Sequence, residues 1–82
     1  MDTQSHVGVE SGVQSLRVRF GQRLRAARKR RGVSQELLAK QAGLDRTYVS
    51  KIERGERNIT LSTVDKLASA LGMRAEDLMC GK

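Results

Sequence analysis

The sequence is poor in the residues that build disulfides, metal sites and stacking surfaces. It has one cysteine, one histidine, one tyrosine, one phenylalanine and no tryptophan. Cys80 has no partner for an internal disulfide, and with His6 alone it cannot complete a metal site. RNA-binding surfaces favour exposed aromatic side chains that stack on bases, so the composition also disfavours RNA. We therefore expect no metal, no cofactor and no internal disulfide.

The sequence also lacks long hydrophobic runs and a targeting pattern. No apolar run approaches the roughly 20 residues that a membrane span needs. The N-terminus has neither the basic stretch nor the apolar stretch of a secretory signal. We expect a cytoplasmic protein without a membrane partner. No carboxylate pair in an apolar setting and no nucleophile–base pair can be placed, so an enzyme is not expected.

The chain does have a large excess of positive charge. Sixteen Lys and Arg residues against nine Asp and Glu residues give a net charge of +7 in 82 residues. Such a charge on one small domain suggests a polyanionic partner, either nucleic acid or an anionic membrane surface. A chain of this length buries a modest core and can gain stability from self-association.

Hydrophobic spacing, capping residues and glycines predict a compact all-α domain of five helices. The expected helices cover residues 15–31, 35–42, 46–54, 63–71 and 75–79. The expected N-caps of the second, third and fourth helices are Ser34, Asp45 and Ser62. Gly43 supplies the turn between the second and third helices. Residues 1–14 hold no Lys or Arg and are expected to form a disordered polar leader, and residues 81–82 a tail. A leader that enters a DNA groove is an alternative, although such arms are usually basic.

The first helix combines one apolar stripe with a basic surface. The stripe consists of Leu16, Phe20, Leu24 and Ala27. The basic residues are Arg17, Arg19, Arg23, Arg25, Lys29, Arg30 and Arg31, with no acidic residue between positions 16 and 35. Like charges three or four residues apart weaken a helix, so this surface suggests a nearby anion such as DNA phosphate. A merely solvated charged face is the alternative.

The third helix has an inner side and an acid-free outer side. The inner side carries Asp45, Tyr48, Val49, Ile52 and Glu53. The outer side carries Arg46, Thr47, Ser50, Lys51 and Arg54. Arg can grip guanine with two hydrogen bonds, and a Thr methyl can contact thymine. Only the N-terminal half of a recognition helix usually reaches bases, so Arg46, Thr47 and Tyr48 are the expected readers. Lys51 and Arg54 are expected to position the DNA backbone.

Two polar residues in or near this helix, Tyr48 and Gln35, have competing interpretations. Tyr48 either packs in the core, since it precedes Ile52 by one helical turn, or lies along the groove wall. Gln35 starts the second helix, where free N–H groups suit a phosphate, or is simply solvated. Arg28 and Glu53 both fall on inward stripes, and a buried charge without a partner is costly. We therefore expect Arg28 and Glu53 to form an ion pair that joins the first and third helices.

Over residues 20–79 the chain resembles the phage Cro/repressor-type helix-turn-helix family, whose domains are lambda-repressor-like. The motifs that carry the resemblance are Leu24-Arg25-Ala26-Ala27-Arg28, Gly32-Val33-Ser34-Gln35-Glu36, Leu38-Ala39, Gly43-Leu44, Val49-Ser50-Lys51-Ile52-Glu53-Arg54-Gly55 and Leu67-Ala68-Ser69-Ala70-Leu71-Gly72. Within the family, the strings Leu44-Asp45-Arg46-Thr47-Tyr48-Val49-Ser50 and Ile52-Glu53-Arg54-Gly55-Glu56-Arg57-Asn58 look like the controller proteins of restriction–modification systems.

This resemblance implies a homodimer on pseudo-palindromic operators and assigns roles to individual residues. It implies base contacts by Arg46, Thr47 and Tyr48, with a groove contact from the loop residue Arg57. It implies phosphate contacts at Gln35, Ser50 and Asn58. It implies a dimer interface around Leu61, Leu78 and Met79, although these residues could instead close the monomer core.

The sequence leaves several functions in competition. A DNA-binding transcriptional regulator without catalytic activity is favoured, and RNA polymerase is a second candidate partner of such a regulator. An antitoxin-type or phage-type repressor with a protein partner is the alternative, although few residues follow Met79 to bind one.

Overall fold

The computed structural model describes residues 2–80, with side chains from Ser15 onward. Its five helices are α1 (Asp2–Arg31), α2 (Gln35–Ala42), α3 (Arg46–Glu53), α4 (Leu61–Ala70) and α5 (Ala75–Cys80). The described residues form no strand, which confirms the predicted all-α fold. None of the helices in residues 2–80 combines the length and the apolar character needed to cross a membrane.

The core is built from apolar side chains of all five helices. Its fully buried large members are Leu24, Leu38, Val49, Ile52, Leu67, Leu71 and Leu78. Helix α1 packs against α3 and α5, α2 packs against α3 and α4, and α4 packs against α5. The short α3 is therefore held on its inner side by two helices, while its outer side faces solvent.

Local capping fixes the geometry of the helix-turn-helix, which consists of α2 and α3. The Ser34 hydroxyl accepts a hydrogen bond from the Leu37 backbone N–H at 3.0 Å, which satisfies an N–H that the first turn of α2 leaves free. Gly43 then adopts a φ of 71°, in the left-handed region that favours glycine. Asp45 occupies the expected N-cap position of α3 with an extended backbone, but its side chain makes no capping hydrogen bond.

The first helix is longer than predicted. The backbone of residues 2–14 is helical, which differs from the disordered leader expected there. This segment contains no proline, and extending an existing helix avoids the cost of nucleating a new one. The division of the chain into leader, domain and tail stays a prediction, and the tail, residues 81–82, lies outside the described residues.

Two expected side-chain placements were wrong. The N-cap of α4 is Thr60, whose hydroxyl accepts from the Thr63 N–H at 3.1 Å, and not Ser62. Both residues carry a cap-forming hydroxyl, so the sequence alone did not separate them. Leu16, expected on the inner stripe of α1, has 56% of its surface exposed.

Candidate nucleic-acid interface

The outer side of α3 is an exposed, acid-free surface of hydrogen-bond donors. Arg46, Thr47 and Arg54 are exposed, while Ser50 and Lys51 are half-buried. On the opposite side, Val49 and Ile52 are buried in the core. Because the buried side fixes the rotation of the helix, the donors are held toward solvent in one direction. This is the arrangement that a recognition helix needs to present side chains to the major groove.

A shallow concavity extends this surface toward the loop that follows α3. Its lining residues are Asp45, Thr47, Tyr48, Lys51 and Arg57. The guanidinium carbon of Arg57 lies 5.2 Å from the centroid of the Tyr48 ring. The structure thus places the loop residue Arg57 beside three expected α3 contact residues, Thr47, Tyr48 and Lys51, although the role of Arg57 was inferred from family resemblance alone. Arg46, at the start of α3, does not line the concavity.

Beneath this surface lies a hydrogen-bonded cluster centred on Glu53. Arg28 donates to the carboxylate twice, from Nε to Oε2 at 2.6 Å and from Nη2 to Oε1 at 3.1 Å. The side chains of Arg28 and Glu53 are 12% and 3% exposed. Arg28 Nη1 also donates to the Val33 carbonyl at 2.9 Å. The expected ion pair therefore forms and connects α1, the start of the helix-turn-helix and α3.

Gln35 joins the same cluster, a contact that the sequence analysis missed. Its Nε2 donates to Glu53 Oε1 at 2.9 Å, so one of its two amide hydrogens is already used. The second amide hydrogen and the free backbone N–H groups at the start of α2 still suit a phosphate. The phosphate contact at Gln35 stays a prediction, and its geometry would depend on Glu53.

The expected phosphate contacts at the end of α3 are linked to one another. Arg54 Nη1 donates to Ser50 Oγ at 2.7 Å, and Arg54 Nε donates to Glu56 Oε2 at 3.1 Å. The Arg54 and Glu56 side chains are 53% and 54% exposed. An exposed pair of this kind is worth about 0–1 kcal/mol. A phosphate can therefore replace Glu56 as the partner of Arg54 at little cost.

The three residues expected at a dimer interface differ in their exposure to solvent. Leu78 is 1% exposed and belongs to the monomer core, so its placement at an interface was wrong. Its helix packs against both α1 and α4, and this leaves no free surface on Leu78. Leu61 and Met79 are 74% and 44% exposed, and both line an apolar groove together with Leu16.

Asn58 lies on this groove and not in the concavity beside Tyr48. The groove runs between α1, the loop before α4, α4 itself and α5, and no residue of α3 lines it. Among the described residues, no group of three or more His, Cys, Asp or Glu side chains is placed to hold a metal.

The cationic helix-turn-helix on a small helical domain places this protein in the class of DNA-binding proteins. Comparison with known proteins identifies its family. The helix-turn-helix family model matches residues 24–78. A hypothetical transcription factor from Neisseria meningitidis serogroup B is 50% identical over 66 residues, which cover 80% of this chain and 62% of the relative. The control protein C.BamHI from Bacillus amyloliquefaciens is 44% identical over 66 residues, which cover 79% of this chain and 82% of the relative.

Solved structures give the same result. The restriction-modification controller protein C.AhdI from Aeromonas hydrophila matches with a TM-score of 0.77 and 49% identity, over 79% of this chain and 94% of that chain. The chain belongs to the helix-turn-helix family and is a DNA-binding transcriptional regulator. The predicted family and the predicted regulatory function are therefore confirmed. The chain spans less than two thirds of the neisserial relative but most of both controllers.

Proposed function

We propose that this regulator acts as a homodimer on pseudo-palindromic double-stranded DNA, with one α3 reading each half-site. The observation that carries the proposal is the exposed donor surface of α3, which a buried ion pair and two packed helices hold in place. A single recognition helix reads too few base pairs to stand out among competing genomic sites. Two copies related by a two-fold axis double the contacts and require half-sites about one helical turn apart.

The similarity to C.BamHI and C.AhdI supports a narrower role as the controller of a restriction–modification system. This chain aligns with most of the length of both relatives. RNA polymerase as a second partner and the cytoplasmic location stay predictions. An antitoxin-type or phage-type repressor is the alternative, and an immunity repressor of Bacillus phage phi105 is 42% identical over 59 residues. That match covers 41% of the phage protein.

The salt dependence of binding tests whether the basic surface faces DNA. Each Lys or Arg that neutralises a phosphate releases counterions, so affinity falls steeply as salt rises. We expect affinity for a selected duplex to fall roughly a thousandfold between about 50 and 200 mM salt if a dimer neutralises about six phosphates. A scrambled duplex of equal length is the control and should bind more weakly with similar salt dependence. A flat response would show that the basic surface does not contact phosphate.

Replacing Arg46 tests the assignment of the reading residues. Arg46→Ala should weaken binding by roughly 1–3 kcal/mol and relax the preference at one base pair per half-site. Lys51→Ala is the matched control on the same helix, since loss of a phosphate contact should weaken binding to all sequences about equally. Selection of duplexes with both variants measures the two effects. A motif that Arg46→Ala leaves unchanged would remove Arg46 from the readers.

The apolar groove supports the dimer. Leu16, Leu61 and Met79 expose large apolar surface along it, and such clusters mark interaction sites more often than scattered exposed residues do. Because no residue of α3 lines the groove, a second copy seated there would leave both recognition helices free to bind DNA.

Changing this groove should separate assembly from folding. The double variant Leu61→Ser/Met79→Ser should shift the protein from dimer to monomer in sedimentation at micromolar concentration, because it removes apolar area from both sides of a two-fold interface. Leu37→Ser is the control, since Leu37 is 39% exposed on α2 and does not line the groove. A parent protein that stays monomeric even on its operator would contradict the dimer.

A further inference from the structure

The contact between Tyr48 and Arg57 combines a fixed aromatic ring with a free cationic side chain. Tyr48 is half-buried on α3 and packs against the core. Arg57 is exposed in the loop after α3, and its guanidinium carbon lies 5.2 Å from the ring centroid. A guanidinium within about 6 Å of a ring centroid is attracted by the negative face of the ring. The ring can therefore hold a loop residue against the recognition helix.

The neighbouring acidic residues leave Arg57 available. Glu56 would be an obvious partner for Arg57, but Arg54 donates to both of its carboxylate oxygens, at 3.1 and 3.3 Å. Asp45 lines the same concavity, but it forms no salt bridge with Arg57. Among the described side chains, no salt bridge or hydrogen bond involves Arg57. A guanidinium has five N–H donors, and none of those of Arg57 bonds to a described side chain, so Arg57 can offer donors to a base edge or a phosphate.

We propose that Tyr48 is a positioning residue, whose ring holds Arg57 so that Arg57 reads DNA beside Thr47, while Lys51 holds the phosphate backbone. This inference rests on the proposed DNA-binding surface and changes the role of one of its residues. Tyr48 contributes through its aromatic face, and its hydroxyl makes no contact that specificity requires. The ring restricts the rotamers of the Arg57 side chain before DNA binds. Arg57 therefore loses less conformational entropy on binding than a mobile loop side chain would.

A double-mutant cycle with a matched aromatic variant tests this role. Affinity for a selected duplex, and the selected motif, are measured for the parent, Tyr48→Phe, Tyr48→Leu, Arg57→Ala and the double variant Tyr48→Leu/Arg57→Ala. Tyr48→Phe keeps the ring and should stay within about twofold of the parent. Arg57→Ala should lose about tenfold or more, as expected for one good base contact. Tyr48→Leu should lose a large part of that factor, and the double variant should bind no worse than Arg57→Ala.

Each other outcome has a definite meaning. A Tyr48→Phe variant that binds as poorly as Tyr48→Leu would assign direct reading to the hydroxyl and overturn the inference. Additive losses from Tyr48→Leu and Arg57→Ala would also overturn it, because the two residues would then act independently. Thermal unfolding of each variant is followed in parallel. If Tyr48→Leu does not fold, Tyr48→Phe is compared with Arg57→Ala instead. A parent-like motif for Tyr48→Phe supports the inference. A Tyr48→Phe variant that loses the same base preference as Arg57→Ala overturns it.

The inference and the proposed function fail in different ways. A parent protein that binds no duplex would contradict the proposed function and the inference with it. A parent that binds a specific duplex, with Tyr48 and Arg57 acting independently, would contradict the inference alone.

Discussion

Glu53→Ala should strongly lower the melting temperature of the protein. The substitution removes the carboxylate and leaves the Arg28 guanidinium, which is 12% exposed, without its partner. Breaking a buried ion pair from one side costs roughly 3–5 kcal/mol because the remaining charge is left uncompensated. A domain of this kind has a free energy of unfolding of only about 5–15 kcal/mol. The loss of the Gln35 contact adds to the effect in the same direction. Thermal unfolding followed by circular dichroism measures it.

The exposed pair Arg54–Glu56 is a matched control for this experiment. Glu56→Ala removes the same chemical group from an arginine, but both side chains are more than half exposed. Such surface pairs contribute about 0–1 kcal/mol, so the melting temperature should change little. A Glu53→Ala variant that melts together with Glu56→Ala would show that the inner pair is solvated and holds nothing in place.

Gly21→Ala should be the other strongly destabilising substitution. A Cβ atom at Gly21 would lie 2.5 Å from the Ile52 carbonyl oxygen and 2.6 Å from the Glu53 carbonyl oxygen. These are backbone atoms at the end of α3, so α1 and α3 would have to move apart. Overpacking costs typically 1–3 kcal/mol and occasionally more, which exceeds the roughly 1 kcal/mol that Ala gains over Gly in a helix. The free energy of unfolding measured in denaturant should therefore fall.

Gly12→Ala is the control for Gly21→Ala. Gly12 lies on the same helix, and a Cβ atom there would meet nothing within 4 Å. Helix propensity alone should then act, and the variant should be unchanged or more stable by up to about 1 kcal/mol. Equal stability of the Gly12→Ala and Gly21→Ala variants would contradict the close approach of α1 and α3. Because α3 carries the reading residues, the Gly21→Ala variant should also bind DNA more weakly.

The predictable parts of the fold depend on local sequence or on a simple period. The Ser34 cap acts across three residues, and the Gly43 turn needs one residue with positive φ. The Arg28–Glu53 pair was predictable because each residue falls on an inward helical stripe, where a charge needs a partner. These features follow from rules that do not require the tertiary structure.

The parts that the sequence analysis missed depend on how the helices pack. Gln35 reaches Glu53 across 18 positions of sequence, and no local pattern reports that distance. Leu78 was misplaced because a short final helix can either close the core or present an interface. Its contacts with α1 and α4 decide for the core. Leu16 falls on the apolar stripe of α1, but it lies beyond the packed part of that helix and lines the groove instead.

Selection of bound duplexes from a random double-stranded library tests the central claim most directly, because it reads specificity and symmetry together. If two α3 helices read DNA as a dimer, the selected sequences should share a pseudo-palindromic motif with half-sites about one helical turn apart. Arg46→Ala should then lose one base pair from each half of the motif. A selection by the folded parent protein that enriches no motif, or only an asymmetric site of a few base pairs, would contradict the account.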